Sequence, residues 1–178
     1  MTRLPDPIPT LRGDDRRVYE RMLARRERHG VGLYGPYLPL LHHPQLADRV
    51  EQLGGFLKFD GVLPRDRYQF VVLCFAREVG AEFEWRDHVS HALAAGVPQA
   101  VVDALVAGAA VPAPFTDLAD AVRSTLAYRD LAADVQQRIV ADVGTKGLVE
   151  VVTLCGLYAL IAMVNAAFDV PTSEAGTH

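Results

Sequence analysis

From about Gly147 to Phe168 the chain is apolar over nearly the length of a membrane span, and any fold must find a place for that segment. Among its few polar side chains, Glu150, Tyr158 and Asn165 fall on one broad face when 100° is allowed per helical residue. The remaining chain patterns as amphipathic helices. The segment is therefore read as the central helix of an all-α bundle in preference to a membrane span, and no membrane partner is expected.

The rest of the sequence supplies the bundle. The chain has 178 residues, half of them hydrophobic and 22% charged, with a net charge of −4. That balance fits one soluble domain over 1–178 and offers no positive excess to attract nucleic acid. Pro5, Pro7 and Pro9 alternate in an extended arm over 1–13. Asp14 or Asp15 is placed to cap a helix over 14–30, where Arg16, Arg17, Arg21, Arg25, Arg26 and Arg28 make a basic face. Interleaved Asp15, Glu20 and Glu27 point to a solvated or partner-facing helix, not a nucleic-acid one. Gly32 to Pro39 reads as a turn region lining a cleft, and His42 and His43, preceding Pro44, as the close of a short helix.

Pro44 opens a helix through Val50 and Leu57, and Leu63-Pro64 starts another that is apolar all round between Phe70 and Ala76. Gly80 breaks it, and a further helix ends at Gly96. Shorter ones follow from Pro98 to Gly108, after Phe115, and from Leu131 to Val143. The sum is about eight helices, with a loose tail over 172–178. Exposed edges of such apolar helices predict a homo-oligomer. The two cysteines, Cys74 and Cys155, sit inside apolar runs and read as small buried hydrophobes of a reduced compartment. No apolar signal core marks the N-terminus, so the cytoplasm is expected.

Chemistry concentrates between Gly80 and His91. Glu84, His88 and His91 recur at helical spacing as one polar stripe, with Asp87 beside it and Trp85, Val89 and Ala92 on the adjoining apolar flank. A stripe at the border of core and solvent can be partly desolvated, as an acid/base pair requires. On that reading Glu84 orients His88 and His88 transfers protons. The plainer alternative is a set of surface pairs worth a few tenths of a kcal/mol each. Three ligands from one helix suit a metal poorly, and none is expected.

Leu63 to Gly96, with its Gly-Ala-Glu-Phe-Glu-Trp…His run, resembles the core motif (63–110 here) of the carboxymuconolactone decarboxylase/alkylhydroperoxidase D-like family. Gly147 to Pro171 resembles its closing helix (147–169) in the Val-Glu-Val, Gly-x-Tyr and Asn-Ala-x-x-x-Val-Pro features. The helices from Gly35 to Phe59 also fit. The resemblance implies an alkylhydroperoxidase D-like helical bundle, homotrimeric or homohexameric, with active sites in clefts near subunit interfaces.

The peroxidase branch of that family carries Cys-x-x-Cys-x-x-x-His after a Glu on the previous helix. Here those positions hold Ala81, Glu84, His88 and Gln69, so no thiol pair is present to attack and resolve. The decarboxylase-like branch keeps the Glu-Trp-x-x-His form of Glu84 to His88. Its substrate, a carboxylated unsaturated lactone, holds the carbanion left by carbon dioxide as a dienolate, so no cofactor is implied. By that resemblance His88 is the proton donor and Glu84 its orienter or a second acid/base. Arg77 or an arginine from a neighbouring subunit is expected to bind the carboxylate in preference to Arg86, which points away from the stripe. Gln69, His91, Trp85 and Tyr34 complete the substrate-binding set, with Tyr37 and Phe83 also suited to a flat ring. A neutral amide at Gln69 cannot titrate. The reactions this leaves open are decarboxylation, isomerisation, dehydration and ring opening of a small cyclic or aromatic enolisable substrate in aromatic-compound metabolism. The alternative is a ligand-binding or structural oligomer of the same fold.

Overall fold

Prolines and glycines divide the chain into helices much as their backbone preferences require. The computed structural model describes residues 4–171, so the tail expected from Thr172 and the first three residues of the arm lie outside them. Among the described residues there are eight α-helices and no strand: α1 (Gly13–Glu27), α2 (Tyr37–Leu40), α3 (Pro44–Gly55), α4 (Arg65–Val79), α5 (Glu82–Ala94), α6 (Gln99–Ala107), α7 (Thr116–Leu126) and α8 (Ala133–Ala167). The fold class is all-α. The chain forms two compact units, Met1–Phe59 with Leu160–His178, and Asp60–Ala159.

In the first unit α1 and α2 pack on α3, burying Val18, Met22, Ala47 and Val50. The basic face of α1 is largely engaged by its neighbours. Arg16 pairs with Glu20 and Arg17 with Asp14, while Arg25 reaches Asp48 and, at 2.7 Å, Glu51. Arg26 is buried; it donates to the Gly32 carbonyl at 2.5 Å and lies over the rings of Tyr37 and Tyr34, 4.6 and 5.8 Å from their centroids. Asp14 and Asp15 occupy the first turn of α1 and not its cap, which is Arg12 without a side-chain bond; an acid there still meets the positive end of the helix dipole. His43 opens α3 instead of closing a helix. Its ring accepts the Leu46 N–H, and its own backbone is non-helical, as a residue before proline prefers.

In the second unit α4 is the hub, packing against α5, α6 and α7. Every residue from Tyr68 to Ala76 is buried, which accounts for a helix apolar all round. Val101, Val102 and Leu105 of α6 and Leu118 and Val122 of α7 close on it. Gly80 ends α4 in the left-handed region (φ 70°), and the Ala81 N–H returns to the Ala76 carbonyl at 2.8 Å. This is the glycine-terminated helix end that lets α5 start two residues later.

α8 is two helices across a break. Gly144, at φ 74° and ψ 170°, sits in a region that only glycine adopts without strain, between the segments the sequence divides into 131–143 and 147–168. By length and composition α8 is apolar enough to cross a membrane, but less than half of its apolar window is buried. Val149 and Met163 stay exposed. On the covered side, the buried Glu150 carboxylate accepts the Val62 N–H at 2.9 Å and the Leu63 N–H at 3.0 Å, fixing the entry to α4.

Candidate functional site

Helical spacing brings Glu84, His88 and Ala92 to the covered side of α5, and all three are buried. His91, one turn on, is exposed; its ring centroid lies 6.2 Å from that of His88. The stripe therefore runs from core to solvent, with the carboxylate and the first imidazole at its dry end.

Two other helices close on His88. From α4, Gln69 is buried, and its Oε1 lies 2.8 Å from Nδ1 of His88. An amide oxygen only accepts, so Nδ1 carries the hydrogen. In the neutral ring Nε2 then carries no hydrogen and accepts from the Tyr158 hydroxyl of α8, 3.3 Å away. The Tyr158 ring stands edge-on to the imidazole, at 82° and 5.4 Å between centroids. Behind it the Tyr68 hydroxyl lies 2.9 Å from that of Tyr158. With Tyr158 donating to the imidazole, Tyr68 must donate to Tyr158. The Asp87 carboxylate is 3.6 Å from Nε2, near enough to favour an imidazolium if one forms.

The expected residues divide by place. Glu84, His88 and Gln69 come together in the core of the second unit. Trp85 is half-buried on the flank of α5, and the Arg77 guanidinium lies over its ring, 5.7 Å from the centroid. Arg77 also donates to the Leu105 and Val106 carbonyls at 3.3 and 3.1 Å, so its head group is turned to the end of α6. Arg86 pairs with Glu82 on the exposed side of α5. Tyr34 belongs to the first unit, beside Arg26. Sequence reading gave Tyr68 no role and Tyr158 only a place on a polar face. The usable signal was Tyr158 as a polar residue in an apolar helix.

Among the described residues no group of three His, Cys, Asp or Glu is arranged to hold a metal. Both cysteines are free and buried. Burial pushes the Cys74 thiol up from 9.0 to about 12 and the Cys155 thiol from 9.0 to about 11. The attacking thiolate is accordingly scarce near neutrality.

That burial sets an alkaline limit on folding. Above about pH 9 the thiols of the unfolded chain ionise while those of the folded chain do not. Their contribution is complete below that pH and is lost as pH rises toward 11 and 12. The slope is about 1.4 kcal/mol per pH unit for each thiol. Burial also raises the Tyr37 phenol, adding a loss of the same sign above 10.0. Urea midpoints should hold up to about pH 8 and then fall by about pH 10, and replacing both cysteines with alanine should flatten the first part of that fall.

Comparison of the chain with known protein families, curated proteins and solved structures finds no match.

Proposed function

We propose that the protein is a cofactor-free acid/base enzyme of the carboxymuconolactone decarboxylase-like type, acting on a small cyclic or aromatic enolisable substrate. The observation that carries this reading is a buried imidazole held at both nitrogens, between the Gln69 carbonyl and the Tyr158 hydroxyl, with the buried Glu84 one turn before it. A neutral ring with a bare Nε2 can accept a proton. A ring fixed on both sides delivers it to one place, as general acid/base catalysis requires.

The substrate contributes the electron sink. Loss of carbon dioxide, or of a proton beside the carbonyl, leaves an electron pair that the conjugated carbonyl holds as an enolate. The protein then has to move one proton in a dry site, with Asp87 beside the charge that arrives on the ring. Thiol peroxidase chemistry fits poorly with two buried cysteines whose thiols are held far above neutrality. Exposed apolar side chains such as Val149 and Met163 on α8 support assembly as a homo-oligomer.

A second reading is a ligand-binding or structural oligomer without turnover. The same double engagement of His88 favours it, since an imidazole with both nitrogens satisfied is also what a polar core residue looks like. The test is to incubate the protein in deuterium oxide with a panel of carboxylated unsaturated lactones and enolisable cyclic ketones. Proton NMR would follow carbon-bound deuterium uptake and carbon dioxide release. Turnover above buffer supports the enzyme; tight binding with no chemical change over days supports the second reading.

A further inference from the structure

One side of α8 remains open to solvent, and it reads nearly the same from either end. After the break at Gly144 the helix is regular to Ala167. At 100° per residue, Val149, Val152, Gly156, Leu160 and Met163 then share an arc of about 80°. Gly156 stands at the middle, exposed, with nothing within 4 Å of where a methyl group would sit. Four residues to either side come Val152 and Leu160, 40% and 38% exposed; seven to either side come Val149 and Met163, 60% and 69% exposed. Thr153, at the edge of the arc, donates its hydroxyl to the Val149 carbonyl at 2.8 Å and so brings no unmet polar group. The only charged side chain from Leu148 to Ala167 is Glu150, buried away from this face.

Charges come at the two ends, and they are opposite. Lys146 follows the break and Asp169 follows the last turn, both exposed. They stand roughly 34 Å apart along the rod, too far to pair within one copy. Against a second copy turned end for end, Val149 faces Met163, Val152 faces Leu160 and Gly156 faces itself. Each Lys146 then lies within a turn of the other copy's Asp169, and each positive helix end lies beside a negative one. Set parallel, the same faces bring Lys146 to Lys146, Asp169 to Asp169 and like helix ends together.

We propose that this face of α8 docks on the same face of a second copy of the chain, antiparallel, about a two-fold axis through Gly156. A two-fold contact uses one surface twice, so that surface must complement itself, as this one does in shape and in charge. Glycine at the crossing lets the two backbones approach at the short end of the usual 8–10 Å between helix axes. A lipid surface would account for the apolar side chains but not for their symmetry about Gly156. The proposal rests on the homo-oligomer reading given above and is independent of the chemistry at His88.

The experiment uses the full chain and follows its mass by sedimentation equilibrium. The native chain should be a dimer or a multiple of dimers. Met163→Glu carries an unpaired carboxylate into the contact and should raise the dissociation constant at least about a hundredfold, with α-helix content unchanged by circular dichroism. Gly156→Leu, which blocks the close approach, carries the same test if Met163→Glu does not fold. Lys146→Glu should weaken the pairing about three- to tenfold at low salt, and adding Asp169→Lys should restore it.

Orientation is read with a short bismaleimide. A mixture of Val149→Cys and Met163→Cys chains should give the mixed covalent dimer, while Met163→Cys alone should give none. A native monomer at every concentration ends the homo-oligomer reading and the pairing together. A trimer, an oligomer whose mass Met163→Glu leaves unchanged, or linking of Met163→Cys to itself overturns the pairing and leaves the homo-oligomer standing. Flotation of the native chain with phosphatidylcholine vesicles, abolished by Met163→Glu, assigns the face to lipid and also overturns it.

Discussion

Replacing His88 with alanine should slow carbon-proton exchange, on any panel member that the native protein turns over, by at least about a hundredfold. The size follows from what the ring does: on the acid/base reading it is the group that takes the proton and returns it. Alanine also removes the partner of the Gln69 oxygen and the acceptor of the Tyr158 hydroxyl. Loss of the imidazole from the buried Gln69 oxygen costs about 1–3 kcal/mol. The comparison is therefore made well below the melting temperature, at saturating probe, with circular dichroism showing that α-helix content is kept. A loss in the rate constant at unchanged half-saturation is the expected pattern. Turnover equal to the native protein's removes His88 from the chemistry.

The largest effect on stability is expected at Glu150. Its carboxylate takes three close contacts from two backbone N–H groups, at 2.9, 3.0 and 3.0 Å, across 87 and 88 residues of sequence. Hydrogen bonds to a charged partner are worth about 1.5–3 kcal/mol each. Glu150→Ala leaves both amides without this acceptor and opens space beside Leu63, which is buried. We expect a loss of at least about 3 kcal/mol. With urea slopes of about 1–3 kcal/mol per molar, the midpoint should fall by about 1 M or more. Glu150→Gln should fall between, since one amide oxygen can still accept while the NH₂ group faces a backbone donor. A midpoint for Glu150→Ala within error of the native value would show that water replaces the carboxylate without cost.

How far the sequence foretold this depends on the range of each interaction. Helix limits are set by local backbone preferences, and residues such as Pro44, Gly80, Gly96 and Gly108 mark them where the structure has them. Gly144 falls between two segments read as separate helices because glycine alone takes its φ and ψ without strain. Periodicity likewise placed Glu84 and His88 on one face of α5. It could not say which end of the stripe was covered, and His91 turns out to be exposed. The cap of α1 was misplaced onto Asp14 or Asp15 because a first-turn acid and a capping acid leave the same trace in sequence.

What stayed hidden is long-range. Tyr68 and Tyr158 are 90 residues apart and meet only in the folded chain, where α8 brings Tyr158 to Tyr68 and His88. Neither helix pattern carries the other's phase. Arg77 was named for its charge and its nearness in sequence, and Leu105 and Val106 hold it elsewhere. Arg65, which covers the Tyr68 ring, stands in a helix-opening turn, where an arginine draws no notice.

Glu150 and Tyr158 lie eight residues apart on the same rod, roughly 12 Å along its axis. One grips the strap that leads into α4, and the other touches the imidazole. Both anchorages sit on one helix, so the imidazole and the entry to α4 share a single support.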